Sequence, residues 1–143
     1  MKISIKSLEK IDMPQVISLL KKNLSNFSPS ISEYDDIWSR YSTQENVYSV
    51  VALLGDAIVG YGTVVIEEKI RGGAIAHIED ICTSSDFRHC GVGSSIMDKL
   101  LEIAKQHKCY KLVLSCKKDN LGFYSHNGYK QDGISMSQFI LNI

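Results

Sequence analysis

Between an apolar run at residues 74–83 and an amphipathic run at 93–107 the chain reads Arg88-His89-Cys90-Gly91-Val92-Gly93, and a short apolar run follows at 111–116. Strand, glycine loop, helix and strand in that order form a crossover, so the two strands are expected to be parallel neighbours in one sheet. The helix has the strongest pattern in the chain, with Ile96, Leu100, Ile103 and Ala104 at helical spacing, widened by Met97 and Leu101. Gly91 and Gly93 remove side chains where the loop enters the helix. Successive backbone N–H groups can then point outward together, and the helix start adds partial positive charge, which predicts a cradle for a pyrophosphate. Alone this signal is weak, because a G-x-G at a helix start is often only a tight turn. The rival is a dinucleotide fold, but Ile96 replaces the third glycine of G-x-G-x-x-G and the motif falls mid-chain.

Around this unit the pattern is of short elements. Residues 2–8 alternate as a first strand, and Asp12 is placed to cap a helix with Pro14 in its first turn and Val16, Ile17, Leu20 and Leu24 as its stripe. A serine-rich loop follows. Ser32, three before Asp35, resembles a capping box for a second helix carrying Ile37, Trp38 and Tyr41. Residues 48–54 and 58–66 read as a hairpin across Gly55-Asp56, and 67–73 as a second turn. After the crossover, Asp119 is placed to cap a brief helix through Tyr124, closed by Asn127-Gly128, and 134–143 read as a last strand. The order β-α-α-β-β-β-α-β-α-β predicts an α+β, mixed α/β sandwich with a mostly antiparallel sheet. Residues 1–143 are expected to form one domain.

Composition narrows the function classes. Lys plus Arg and Asp plus Glu both number 16, so the formal net charge is zero and the basic footprint of a nucleic-acid binder is missing. No stretch approaches the roughly 20 apolar residues of a membrane span, and the N-terminal sequence has no secretory pattern. Cys82, Cys90, Cys109 and Cys116 show no C-x-x-C spacing, which predicts reduced cytoplasmic thiols and no metal.

Two further clusters carry chemistry. In His77-Ile78-Glu79-Asp80-Ile81, strand alternation puts Glu79 with His77 and Ile81, and Asp80 opposite with Ile78 and Cys82. Adjacent carboxylates in a buried-looking strand mark either a solvated strand end or groups that orient and deprotonate an amine. His77 alone is most simply a hydrogen-bonded structural residue. Phe123 fits a core aromatic, whereas Tyr124 carries a phenol able to protonate a leaving thiolate.

Together these pieces make the chain resemble the GNAT N-acetyltransferase superfamily, and within it the eukaryotic glucosamine-6-phosphate N-acetyltransferases. The resemblance runs through His77-Ile78-Glu79-Asp80-Ile81, the loop Arg88 to Gly93, Cys109-Tyr110-Lys111, and Phe123-Tyr124 with Asn127-Gly128-Tyr129. It implies a fold with helices on both faces and splayed fourth and fifth strands that admit acetyl-CoA as co-substrate. It implies that Ile81, Cys82 and Thr83 pair through backbone with the pantetheine arm, and that Arg88, His89, Cys90, Gly91, Val92, Gly93 and Ser94 hold the pyrophosphate. Asn120 would lie near the coenzyme arm. Tyr124 and Glu79 would be catalytic, the latter removing the amine proton, with Glu79, Asp80, Lys111 and Ser115 around the acceptor. Three positions depart from the sugar-phosphate enzymes: Ser115 replaces an aspartate, Ser94 a lysine and Phe139 an arginine.

The expected activity is acetyl transfer from acetyl-CoA to a primary amine of a small molecule, such as glucosamine 6-phosphate. Alternatives are a protein or peptide amine acetyltransferase and a non-catalytic module that senses acetyl-CoA. A cysteine acyl-transfer route is disfavoured, because no histidine is paired by sequence. The resemblance also implies a homodimer joined through the C-terminal strand carrying Ile134, Met136, Phe139, Ile140 and Leu141.

Overall fold

The computed structural model describes residues 2–24 and 26–141. Its core is one open sheet of five strands in the order β1-β2-β3-β4-β5, formed by Ser4–Ser7, Val47–Leu54, Ala57–Glu68, Ala74–Thr83 and Cys109–Val113. The β1–β2, β2–β3 and β3–β4 pairs are antiparallel and the β4–β5 pair is parallel, as the tight turns and the crossover require. Helices cover both faces. On one, α3 (Val92–Gln106) buries Ile96, Met97, Leu100, Ile103 and Ala104 against Val50, Val64, Ala76 and Ile78. On the other, α1 (Met13–Asn23) sets Val16 and Leu19 against Val51, Ile58, Tyr61 and Cys82. The helix α2 (Tyr34–Ser42) buries no residue, and α4 (Leu121–His126) sets Phe123 and Tyr124 against the α3-side core.

Several local expectations are corrected. Of the expected α1 stripe Val16 is buried and Leu20 packs beside it, but Met13 and Leu19 complete the buried face and Leu24 is half exposed. Asp12 does not cap α1: its carboxylate turns back, accepting from Glu9 N–H at 2.9 Å and lying 2.7 Å from Lys6 Nζ. The capping box before α2 is Ser30 with Glu33, two residues earlier than expected, and Ser30 N–H donates to the Glu33 carboxylate at 2.7 Å. Asp119 makes no cap either; it lies inside a 3-10 turn, Lys118–Asn120, that leads into α4.

The expected last strand does not form among the described residues. Residues 134–141 have no ladder partner, and Ile134, Met136, Phe139 and Ile140 stand with most of their surface in solvent; Asn142 and Ile143, also part of that expectation, lie outside the described residues. Alternation shows which residues could share a face, but a strand needs a partner edge.

The most consequential correction is in β4. Tyr61 pairs with Cys82 and Thr63 with Glu79, so Asp80 and Ile81 together oppose the single residue Gly62. This is a β-bulge, and Asp80 takes a left-handed backbone at φ 55°. The extra residue breaks the alternation. Ile78 and Ile81 both face α3, Cys82 faces α1, and Glu79 and Asp80 are both exposed.

Candidate active site

The site begins where two strands part. The β4–β5 ladder runs from Ala74 with Cys109 to His77 with Val113 and then stops. Beyond it, residues 78–83 keep β3 on one side and have no strand on the other. A cavity of about 1100 Å³ occupies the gap, bounded by α3, β5, α4 and the segment 130–135. Glu79, Lys111, Ser115 and Tyr124, four of the expected site residues, line it together; Asp80, Ile81, Cys82, Thr83, Asn120 and the glycine loop do not.

Among the described residues, the Glu79 and Asp80 carboxylates accept no hydrogen bond and form no ion pair. Two solvated carboxylates without cationic partners are available for an incoming amine. His77 is held instead: its Nε2 lies 2.8 Å from Glu67 Oε1, and Lys69 Nζ lies 3.0 Å from the same oxygen. Hydrogen bonds from Lys69 and then His77 hold the Glu67 carboxyl below the usual range. The structural reading of His77 is therefore supported.

Tyr124 is half buried, and its phenol oxygen has no hydrogen-bond partner among the described residues. Burial raises its pKa, with the nearby Cys116 adding to the effect, so the group stays protonated at neutral pH, as an acid must. Ser115 donates through Oγ to Ser135 Oγ at 3.0 Å. Lys111 Nζ is 3.9 Å from Asp132 and 5.9 Å from the centre of the Tyr110 ring.

The glycine loop follows β4 through a 3-10 turn, Ser85–Phe87, whose Phe87 N–H returns to Ser84 O at 3.1 Å. His89 and Gly91 both take positive φ, 62° and 82°. Ser95 N–H and its hydroxyl both reach Gly91 O, at 3.0 and 2.9 Å. Between His89 and Ser94 no backbone N–H donates to an acceptor among the described residues. Six successive amides at the start of α3 are thus left to an anion or to water. Side chains do different work here. Val92 is 1% exposed and belongs to the core, and a Cβ on Gly93 would sit 2.9 Å from the Phe123 ring. A side chain at position 93 would therefore displace the Phe123 ring of α4, whatever the loop binds.

An acyl-transfer route through Cys82 loses support. Cys82 is 3% exposed, and burial pushes its thiol up to about 11, so it stays protonated and unreactive. All four cysteines are free.

Sequence reasoning missed three features: the Glu67 carboxylate on His77, the bulge, and Tyr129 in the cavity lining. Two adjacent carboxylates in an apolar strand could have signalled the bulge, since a second exposed residue in succession requires alternation to break. Among the described residues no helix is long and apolar enough to cross a membrane.

Residues 13–129 match the Acetyltransferase (GNAT) family. A glucosamine 6-phosphate N-acetyltransferase of Candida albicans is 28% identical over 111 residues, covering 75% of this chain and 74% of that protein. Glucosamine 6-phosphate N-acetyltransferase 1 of Dictyostelium discoideum is 26% identical over 143 residues, covering 96% and 91%. The crystal structure of glucosamine-6-phosphate N-acetyltransferase from Arabidopsis thaliana superposes with a TM-score of 0.89 at 28% identity, covering 98% of this chain and 99% of that one.

Proposed function

The chain belongs to the GNAT family and is an acetyl-CoA-dependent N-acetyltransferase, and from that premise we propose that its acceptor is the primary amine of a small amino sugar phosphate, glucosamine 6-phosphate in the first instance. The support is twofold. The similar proteins from Candida, Dictyostelium and Arabidopsis carry that name, and the cavity at the parting of β4 and β5 combines the free Glu79 carboxylate with Lys111 and Lys130. The parting of the strands carries the proposal. It leaves one edge of residues 78–83 open beside a phenol and a row of amides without acceptors.

In this reading the amides from His89 to Ser94, with Arg88 beside them, receive the diphosphate of the coenzyme. The open edge at Ile81, Cys82 and Thr83 pairs with its arm as an added strand would, and Asn120 lies alongside. Acetyl-CoA supplies the activated acetyl group. Glu79 takes a proton from the ammonium, directly or through water, so that the neutral amine can attack the thioester. A backbone N–H at the Asp80–Ile81 bulge stabilises the oxyanion, with Asp80 and Ser115 flanking the acceptor. Tyr124 gives its proton to the departing thiolate. Positioning supplies most of the rate.

The remaining parts of the proposal concern the whole molecule. Residues 1–143 act as one catalytic domain in the cytoplasm. The chain works as a homodimer, in which the exposed apolar side chains of Ile134, Met136, Phe139, Ile140 and Leu141 find cover.

Thiol release from acetyl-CoA, followed over an amine panel, tests the reading. Glucosamine 6-phosphate is expected to give the highest kcat/KM, with glucosamine at least tenfold lower because it lacks the phosphate that a lysine would pair with. Equal rates for the two sugars would remove the phosphate from the proposal, and a higher rate with a peptide amine would overturn it.

A further inference from the structure

The Asn127-Gly128 turn does more than end α4. Gly128 has φ 93°, Tyr129 N–H donates to Tyr124 O at 3.0 Å, and Gly128 N–H donates to Ser125 O at 3.1 Å. These two bonds are the Schellman closure of a helix, which brings the residue after the glycine back over the one five positions earlier. Here both residues are tyrosines. Their ring centroids lie 6.0 Å apart at 76°, and both rings line the cavity at the parted strands. An apolar contact is the usual consequence of this closure, and it would need no hydroxyl on either ring. Yet Tyr129, like Tyr124, is half buried with a phenol oxygen that has no partner among the described residues.

We propose that Tyr129 is a positioning residue for the acid step: its hydroxyl donates a hydrogen bond, directly or through one water, to the Tyr124 oxygen as that oxygen gives up its proton. The inference rests on Tyr124 being the acid, as proposed above. A phenol near pKa 10 protonating a thiolate near 8.5 works uphill, and half-burial of Tyr124 makes its phenolate harder still to form. A second neutral phenol, on a ring packed 6.0 Å from that of Tyr124, offsets part of this cost when it donates to that oxygen. Tyr129 can remain neutral throughout, because burial, reinforced by Tyr124, pushes its own phenol up to about 12. The step balances: the Tyr124 proton goes to sulfur, the carbon–sulfur bond breaks, and Tyr124 regains a proton from solvent while Tyr129 keeps its own. The other titratable groups around the pair are Glu79 and His77 from β4, Asp98 from α3, Lys111 from β5, and Cys116, Lys130 and Asp132 from the flanking segments.

Tyr129→Phe tests this cleanly, because it keeps the ring and removes only the hydroxyl. With acetyl-CoA and glucosamine 6-phosphate, kcat is expected to fall about five- to tenfold, with both KM values within about twofold and the thermal midpoint unchanged. The double variant with Tyr124→Phe should be no slower than Tyr124→Phe alone, since the hydroxyl acts only through Tyr124. A readout without substrate is the Tyr124 Cζ signal in ¹³C-tyrosine-labelled protein, which should titrate at higher pH in Tyr129→Phe than in the parent chain. An unchanged kcat, additive losses in the double variant, or an unmoved Tyr124 titration would each overturn the inference. If Tyr124→Phe itself proved inert in turnover, the acid assignment would fail, separately from the hydrogen bond that the titration reports.

Discussion

The two halves of β4 make the instructive contrast. Residues 74–77 are paired on both sides, to β3 and to β5, and Ala74, Ile75 and Ala76 are all buried. Residues 78–83 keep only β3, carry the bulge, and expose Glu79 and Asp80. One continuous strand is therefore a core element at its start and an open edge at its end. The open half can bear carboxylates and left-handed backbone because the closed half, packed under α3, holds the strand in place. Substitutions should sort accordingly, with stability effects in the first half and kinetic effects beyond it.

The largest effect is expected at the cleft. Tyr124→Phe should lower kcat by about 100-fold, while calorimetry with acetyl-CoA shows affinity within about twofold; unchanged turnover would remove the phenol from the mechanism. Next comes Glu79→Gln in the open half, expected to lower kcat/KM by about tenfold or more at neutral pH. The deficit should shrink as pH rises and the acceptor amine loses its proton unaided. Its denaturant midpoint should stay at the parental value, and a clear drop there would break the contrast. Ala76→Leu in the closed half is the reverse case. Ala76 is fully buried beneath α3, so overpacking should cost about 1–3 kcal/mol in chemical unfolding, with kcat of the folded fraction unaffected.

The smallest effect is one of pH. The Tyr129 phenol has a folded pKa of about 12, above its unfolded value near 10, so the folded state holds that proton longer. Its contribution is fully present below about pH 10 and is lost as pH rises toward about 12, where the unfolded chain ionises first. Tyr129→Phe should flatten that part of the alkaline unfolding profile. An identical slope in both proteins would mean that the phenol is more solvated than its half-burial implies.

Much of this architecture was legible from local pattern. Ile96, Leu100 and Ile103 identified α3 by periodicity, the limits of β4 were read to the residue, and the parallel β4–β5 pair followed from the helix between its strands. Phe123 packs against the core and His77 makes a structural bond, as their local patterns imply. Caps were less legible, because serines and acidic residues crowd both helix starts and several registers satisfy the same signature. Ser30 with Glu33 won over Ser32 with Asp35 for reasons outside that signature.

What the amino-acid order determined by itself was whatever depends on neighbours a few positions away: periodic faces, glycine turns, and the closure that sets Tyr129 on Tyr124. Tertiary structure alone decided the rest. The bulge at Asp80 exists only relative to the register of β3, the cleft only because β5 leaves β4 after His77, and the segment 134–141 is no strand because no described edge pairs with it. Ladders and clefts are relations between distant segments, and a residue's own pattern does not state which partner it will meet or lose.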